Sequence, residues 1–259
     1  MRFDGPLLAR AWLSVAAAAE QKLKLQAQLY KAVTIEEYSD GVRLVATDRT
    51  VLLTAWVPDL DSYYDGTEPE PEIAPERVTV AADVDGRARS MLGHILSLAN
   101  RIGEDEYTPG EVRVDVDFDV RVPAGTGGAQ AVLEGMDPTY VVLASPDVEK
   151  VYVPAVDGGR GVDWRTALGS HTAKSTSTAR YDPELLERLC KVRSHAGGPL
   201  QLGFGGKGGT TRVYFVNSDP LVHGLLMPAR DDSGECRTCA EGAPCLRHGA
   251  GVAVVGDEP

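Results

Sequence analysis

Apolar residues recur along the chain in two periods, and the alternation between them marks its elements. Leu8, Ala11, Trp12, Val15 and Ala19 follow a helical period, which predicts a helix over residues 7–21. Three extended runs come next, at 29–36, 42–47 and 51–57, with Asp40-Gly41 turning the first into the second. After a strand at 77–82 the helical period returns. Ala88, Met91, Leu92, Ile95, Leu96 and Ala99 form the stripe of a helix over 86–101. Runs at 111–122, 129–135, 140–144 and 150–156 then read as strands. The third helix opens with Asp182 as N-cap and Pro183 as first residue. It carries Leu185, Leu186, Leu189 and Cys190, and Gly197-Gly198-Pro199 stops it. Runs at 200–204, 211–216 and 222–227 close the pattern.

A helix followed by about three strands therefore occurs three times, centred on 7–57, 77–156 and 178–230. The repeat is one of pattern, with little identity between copies. Residues 157–179 show Ser and Thr but no helical stripe.

The closing strand ends in Gly224-Leu225-Leu226-Met227-Pro228-Ala229-Arg230, and an earlier one contains Gly41-Val42-Arg43-Leu44-Val45-Ala46-Thr47-Asp48. Residues 157–168 contain Asp163-Trp164-Arg165 followed by Leu168. These stretches, in this order, resemble the bacterial DNA polymerase III β sliding clamp family. There the last strand ends Met-Pro-x-Arg, a strand ends Val-Ala-Thr-Asp, and Asp-Tyr-Arg-x-x-Leu joins two domains; Trp164 stands here for the Tyr. The resemblance implies an α+β DNA-clamp fold of repeated βαβββ units, with antiparallel sheets outside and helices on one inner face. It divides the chain into a clamp domain at 1–157, a shorter one at 158–230, and a tail at 231–259. An acidic loop falls at 59–76, where no Lys or Arg occurs.

The chain has 259 residues and a formal net charge of −12, which argues against general affinity for nucleic acid. Placement matters more than the sum. Between Gly86 and Arg101 there is no acidic residue. The helices offer Arg10, Lys22 and Lys24, then Arg87 and Arg101, then Arg188 and Lys191 to solvent, and the resemblance implies that these face duplex DNA. The same pattern suits ordinary wet helix faces, and Glu184 and Glu187 weaken the third set. The resemblance also implies a pocket for short hydrophobic peptides of a replicative polymerase or clamp loader. The matching positions are Thr47, Leu52, Leu225, Met227, Pro228 and Arg230. Arg49-Thr50-Val51 and Ala229 depart from the family pattern there. The family closes into homo-oligomeric rings; three units per chain give one and a half domains, which leaves the stoichiometry open.

Cys236, Cys239, Cys245 and His248 follow the last strand as two ligand pairs of two-residue spacing. Three thiolates and an imidazole suit a structural Zn²⁺. A tail with free thiols and a redox pair are the other readings. Cys190 is expected in the core. No motif for catalysis is found: the Gly-rich residues 203–211 join two strands and open no helix, so they lack anion-binding geometry. The expected protein is a cytoplasmic, non-enzymatic processivity factor without a membrane span, a divergent short form that would suit a phage. The alternatives are a clamp-derived peptide- or zinc-binding adaptor that closes no ring, and a small zinc or redox enzyme centred on the tail.

Overall fold

The computed structural model describes residues 1–19, 28–62, 69–70, 73–81, 86–103, 106–121, 139–146, 148–156, 161–169, 181, 183–204 and 210–227. Its elements in chain order are β1 (Arg2–Asp4), α1 (Gly5–Ala16), β2 (Val33–Tyr38), β3 (Gly41–Thr47), β4 (Val51–Pro58), β5 (Arg77–Ala81), α2 (Arg87–Ile102), β6 (Arg113–Arg121), β7 (Thr139–Ser145), β8 (Val148–Val156), α3 (Trp164–Gly169), α4 (Pro183–Ala196), β9 (Leu200–Gly203), β10 (Thr211–Phe215) and β11 (Val222–Leu226). The strands form one sheet in the order β1-β6-β7-β8-β5-β2-β3-β4-β11-β10-β9, and every pairing is antiparallel.

Period-two alternation decides what each face of the sheet holds. Val42, Leu44 and Ala46 of β3, Val51, Leu53, Ala55 and Val57 of β4, and Val222 and Leu226 of β11 join one large core. The same core takes Leu8, Ala11, Trp12 and Val15 of α1, Ala88, Met91, Leu92 and Ile95 of α2, and Leu189, Val192 and Ala196 of α4. These three helices therefore cover one face. The intervening residues Val45, Leu52 and Leu225 point the other way, into a second cluster with Trp164 and Leu168 of α3.

Asp4 starts α1, its carboxylate accepting the Leu7 N–H at 3.0 Å, the Gly110 N–H at 2.9 Å and the Tyr107 hydroxyl at 2.6 Å. The helix lies between α2 and α4. Both its sides are covered, and even the polar Ser14 is fully buried. Gly198 after α4 has φ +70, and a Cβ there would sit 2.2 Å from the Val216 carbonyl oxygen.

The helices over 86–101 and after Pro183 stand as expected, while α1 starts at Gly5 and ends at Ala16. Four local expectations are corrected. The run expected from residue 29 begins at Val33, because Gln28–Lys31 forms a 3-10 turn. The short strand β1 has no counterpart in the expected pattern. Residues 157–179, which show no helical stripe, contain α3. The buried stripe of α4 is Leu189, Val192 and Ala196, with Leu185 half-buried against the core, so Leu186 and Cys190 are exposed. The run at 129–135 lies outside the described residues. No described helix is long and apolar enough to cross a membrane.

Candidate functional site

The outer face of the sheet carries a row set by register. Thr47 pairs with Leu52, Leu52 with Leu225, and Leu225 with Arg212, across β3, β4, β11 and β10. Met227 continues the row's edge, its N–H donating to the Thr50 carbonyl at 2.8 Å. Four of the six expected pocket residues are thus brought together; Pro228 and Arg230 lie outside the described residues. The four are buried, and α3 closes over Leu52 and Leu225. Val162 and Ala167 remain half-buried at the rim of this cluster.

Two anchors hold α3. Glu36 on β2 is buried among its partners. Arg165 donates to both its oxygens at 2.9 and 2.8 Å, the Trp164 indole N–H donates at 3.0 Å, and the Tyr38 hydroxyl donates at 3.0 Å. Arg165 also reaches the Tyr38 hydroxyl. Burial and the neighbouring carboxylate push the Tyr38 phenol above its ordinary range. At the other end of α3 the Arg212 guanidinium donates to the Leu168 carbonyl at 2.8 Å. Arg43, fully buried, stacks on Trp164 at 4.7 Å and on Trp56 at 5.7 Å. Trp164, Leu168 and Val45 belong to this site, and the sequence pattern does not assign them to it. The Asp163-Trp164-Arg165 stretch is the signal that could have done so; by resemblance it marks only a joint between domains.

On the helix side the expected DNA-facing residues separate into groups. Arg87 and Arg101 of α2 are exposed and make no ion pair among the described residues. Ser90, His94 and Ser97 share that exposed face, and α2 contains no acidic residue. Arg10 is half-buried and within electrostatic reach of Asp219. Lys191 is exposed and pairs with Glu187 at 3.2 Å, an i,i+4 pair open to solvent. Arg188 is corrected: it is turned inward, with one nitrogen 2.5 Å from Asp48 and two others donating to the Ala17 carbonyl at 3.2 and 2.9 Å. It has little left to offer a ligand. Lys22 and Lys24 lie outside the described residues, as do Cys236, Cys239, Cys245 and His248.

No protein-family model matches the chain, and no curated protein does. Solved structures do. The DNA polymerase III β chain of Streptococcus pneumoniae TIGR4 superposes with a TM-score of 0.52 at 12% identity, over 89% of this chain and 64% of that one. The DNA polymerase β subunit of Streptococcus pyogenes gives a TM-score of 0.51 at 12% identity, over 89% and 66%. The polymerase sliding clamp of Pseudomonas aeruginosa gives 0.48 at 13% identity, over 89% and 66%. The streptococcal superpositions show that the chain has the DNA-clamp fold of those β subunits, an α+β architecture with its helices on one face of an antiparallel sheet. The chain spans about two thirds of their length.

Proposed function

We propose that the chain is a clamp-like processivity factor, a scaffold without chemistry of its own. It lays duplex DNA along its helix face and tethers a replicative polymerase or clamp loader at the outer row beside α3. The observation that carries this is α2. In a chain of net charge −12, its solvent face presents Arg87 and Arg101 with no carboxylate on the same helix. A surface of this kind attracts phosphates without reading bases, which sliding requires. The test is binding to a short mixed-sequence duplex over a salt series, with the Arg87→Glu/Arg101→Glu variant beside the wild type. Each lost phosphate contact lowers the slope of log affinity against log salt by about 0.9. A double variant with an unchanged slope would overturn the reading.

The incoming peptide meets the rim at Val162 and Ala167, and its apolar residues extend the row of Leu52, Leu225 and Met227. Pro228 and Arg230 follow directly in sequence and complete the site in this reading. Cys236, Cys239, Cys245 and His248 are proposed to hold one structural Zn²⁺. Metal content near one zinc per chain, lost in Cys236→Ser/Cys239→Ser, is the expected result; a zinc-free wild type refutes it.

One observation favours a second reading, an adaptor with the clamp fold that closes no ring. One of its three helix faces spends Arg188 internally, on Asp48 and the Ala17 carbonyl. Retention on closed circular DNA after loading, with release on linearisation, separates the two: a ring shows both and an adaptor neither.

A further inference from the structure

Four segments far apart in sequence meet where α1 starts: the first turn of α1, the last turn of α2, the end of β4 and the turn before β11. Between them lies a cavity of about 570 Å³, the size of a small-molecule site. Part of its wall is apolar, with Pro6 and Leu7 from α1 and Pro58 and Leu60 from the end of β4. The rest is charged. Among the described lining residues three carboxylates, Asp4, Asp59 and Asp219, stand against one guanidinium, Arg10, a formal charge of −2. The helix ends change this little, because the start of α1 and the end of α2 carry opposite partial charges.

The three carboxylates differ in what they have left to give. Asp4 is spent on the Leu7 and Gly110 N–H groups and the Tyr107 hydroxyl. Asp59 accepts the Asp61 N–H at 2.8 Å and makes no ion pair among the described residues. The Asp219 carboxylate has neither a hydrogen bond nor an ion pair among them. Partial burial raises its pKa above the ordinary value, with Arg10 opposing the rise and Asp4 adding to it. Such a carboxylate gains from an incoming cation. The negative charge is also spread out. A hard divalent ion takes about six oxygens or more, and no group of three His, Cys, Asp or Glu side chains among the described residues is set to hold a metal. Asp59 and Asp219 call for a cation charged at two separate points.

We propose that this cavity binds a linear aliphatic diamine, its two ammonium groups held by Asp59 and Asp219 and its methylenes lying against Leu7 and Leu60. The chemistry of ligand and wall agrees point by point. Each ammonium meets a carboxylate that has lone pairs to spare. The methylenes between them leave water for an apolar wall. The two positive charges cancel the formal surplus of the cavity. A monoamine answers one carboxylate and leaves the other as it was. The site does not depend on DNA: Arg87 and Arg101 do not line the cavity.

Titration calorimetry of the full chain with linear α,ω-diamines of increasing length, at fixed ionic strength, tests this. One site per chain is expected, with an affinity that passes through an optimum in length and there exceeds that of butylamine by about tenfold. Asp59→Asn/Asp219→Asn keeps the size of both side chains and removes that preference, with the circular-dichroism melt confirming the fold. Leu60→Lys, 39% exposed in the wall, weakens the diamine by setting a competing ammonium beside it, both carboxylates intact. Glu149→Gln, exposed on β8 and outside the cavity, leaves the affinity unchanged, which separates a site from the general pull of a chain of net charge −12. A diamine that binds no tighter than butylamine overturns the proposal. So does a double variant, or a Leu60→Lys protein, that binds like the wild type, and so does a Glu149→Gln protein as weak as the double variant. Magnesium that displaces the diamine at the same ionic strength marks a plain cation site and overturns it too. None of these results touches the DNA affinity of Arg87 and Arg101, so the two proposals fail separately.

Discussion

Arg188 of α4 meets Asp48, at the end of β3, with nitrogen and oxygen 2.5 Å apart, although 140 residues separate them in sequence. The pair joins the third unit to the first. Asp48 also accepts the N–H groups of Thr50 and Val51, each at 2.8 Å, which fixes the turn into β4. A residue that looks like a cation on a wet helix face is thus a strut between units.

Arg188→Ala is expected to lower stability by about 2 kcal/mol, below the usual cost of breaking a buried pair because Arg188 is partly solvated. Urea unfolding at neutral pH measures this. Arg87→Ala, at an exposed position with no ion pair among the described residues, should stay within about 0.5 kcal/mol of the wild type. Equal losses for the two variants would remove the distinction between strut and free cation.

The same pair sets a pH dependence. Burial pushes the Asp48 carboxyl up, but Arg188, Thr50 and the Val51 N–H outweigh it and hold the group below its ordinary value of 3.8. A depressed carboxylate contributes stability that is complete above the unfolded value and lost as pH falls through the folded one. The stability gap between the wild type and Asp48→Asn should therefore be constant from pH 7 to about 5 and shrink below about 4. A gap that widens on acidification would contradict this sign.

Gly224 is the tightest point of the joint between β4 and β11. It lies opposite Leu53, and a Cβ there would come within 1.8 Å of the Leu52 carbonyl oxygen and 3.0 Å of the Leu53 Cα. Both are backbone atoms of a central strand, with no room to yield. Gly224→Ala should cost about 3 kcal/mol, the upper part of the range for overpacking. Hydrogen exchange of the β10 and β11 amides should quicken more than that of β6 and β7. Uniform quickening would mean that the joint is not a separable contact.

Periodicity alone makes most of these elements legible. The stripe of α2 and the hairpin of β2 and β3 follow from local spacing, because each is satisfied by near neighbours. The rest depends on contacts far along the chain. Ser14 is buried on a helix that α2 and α4, from later in the chain, both pack against. Glu36 sits in a strand reading Val-Thr-Ile-Glu-Glu-Tyr, where it resembles any surface carboxylate; only Trp164 and Arg165, nearly 130 residues later, allow its burial. The six residues of α3 are too few to show a stripe, and their helix is held by those same distant partners. The row of Thr47, Leu52 and Leu225 is legible through resemblance, but its closure by Leu168 is not.

That closure gives the last prediction. Glu36 is almost wholly buried, so deleting Arg165 removes its two-nitrogen ion-pair partner and leaves the carboxylate under-compensated, with the Trp164 and Tyr38 donors beside it. Arg165→Ala should cost about 3 kcal/mol, while Arg165→Ala with Glu36→Gln should cost less than the sum of the single changes, because the stranded charge has gone. The loss should fall first on α3, since Arg165 and Trp164 are what tie its start to the sheet. Freed of that tie, α3 uncovers Val45, Leu52 and Leu225. Arg165→Ala should then bind a hydrophobic dye under conditions where the wild type does not, with the Trp164 emission shifted to the red. A Trp164→Phe background identifies that signal among the three tryptophans of the chain. An Arg165→Ala protein that loses stability yet binds no dye and keeps its emission would show that α3 stays seated without Glu36, and that the outer row opens by some other movement.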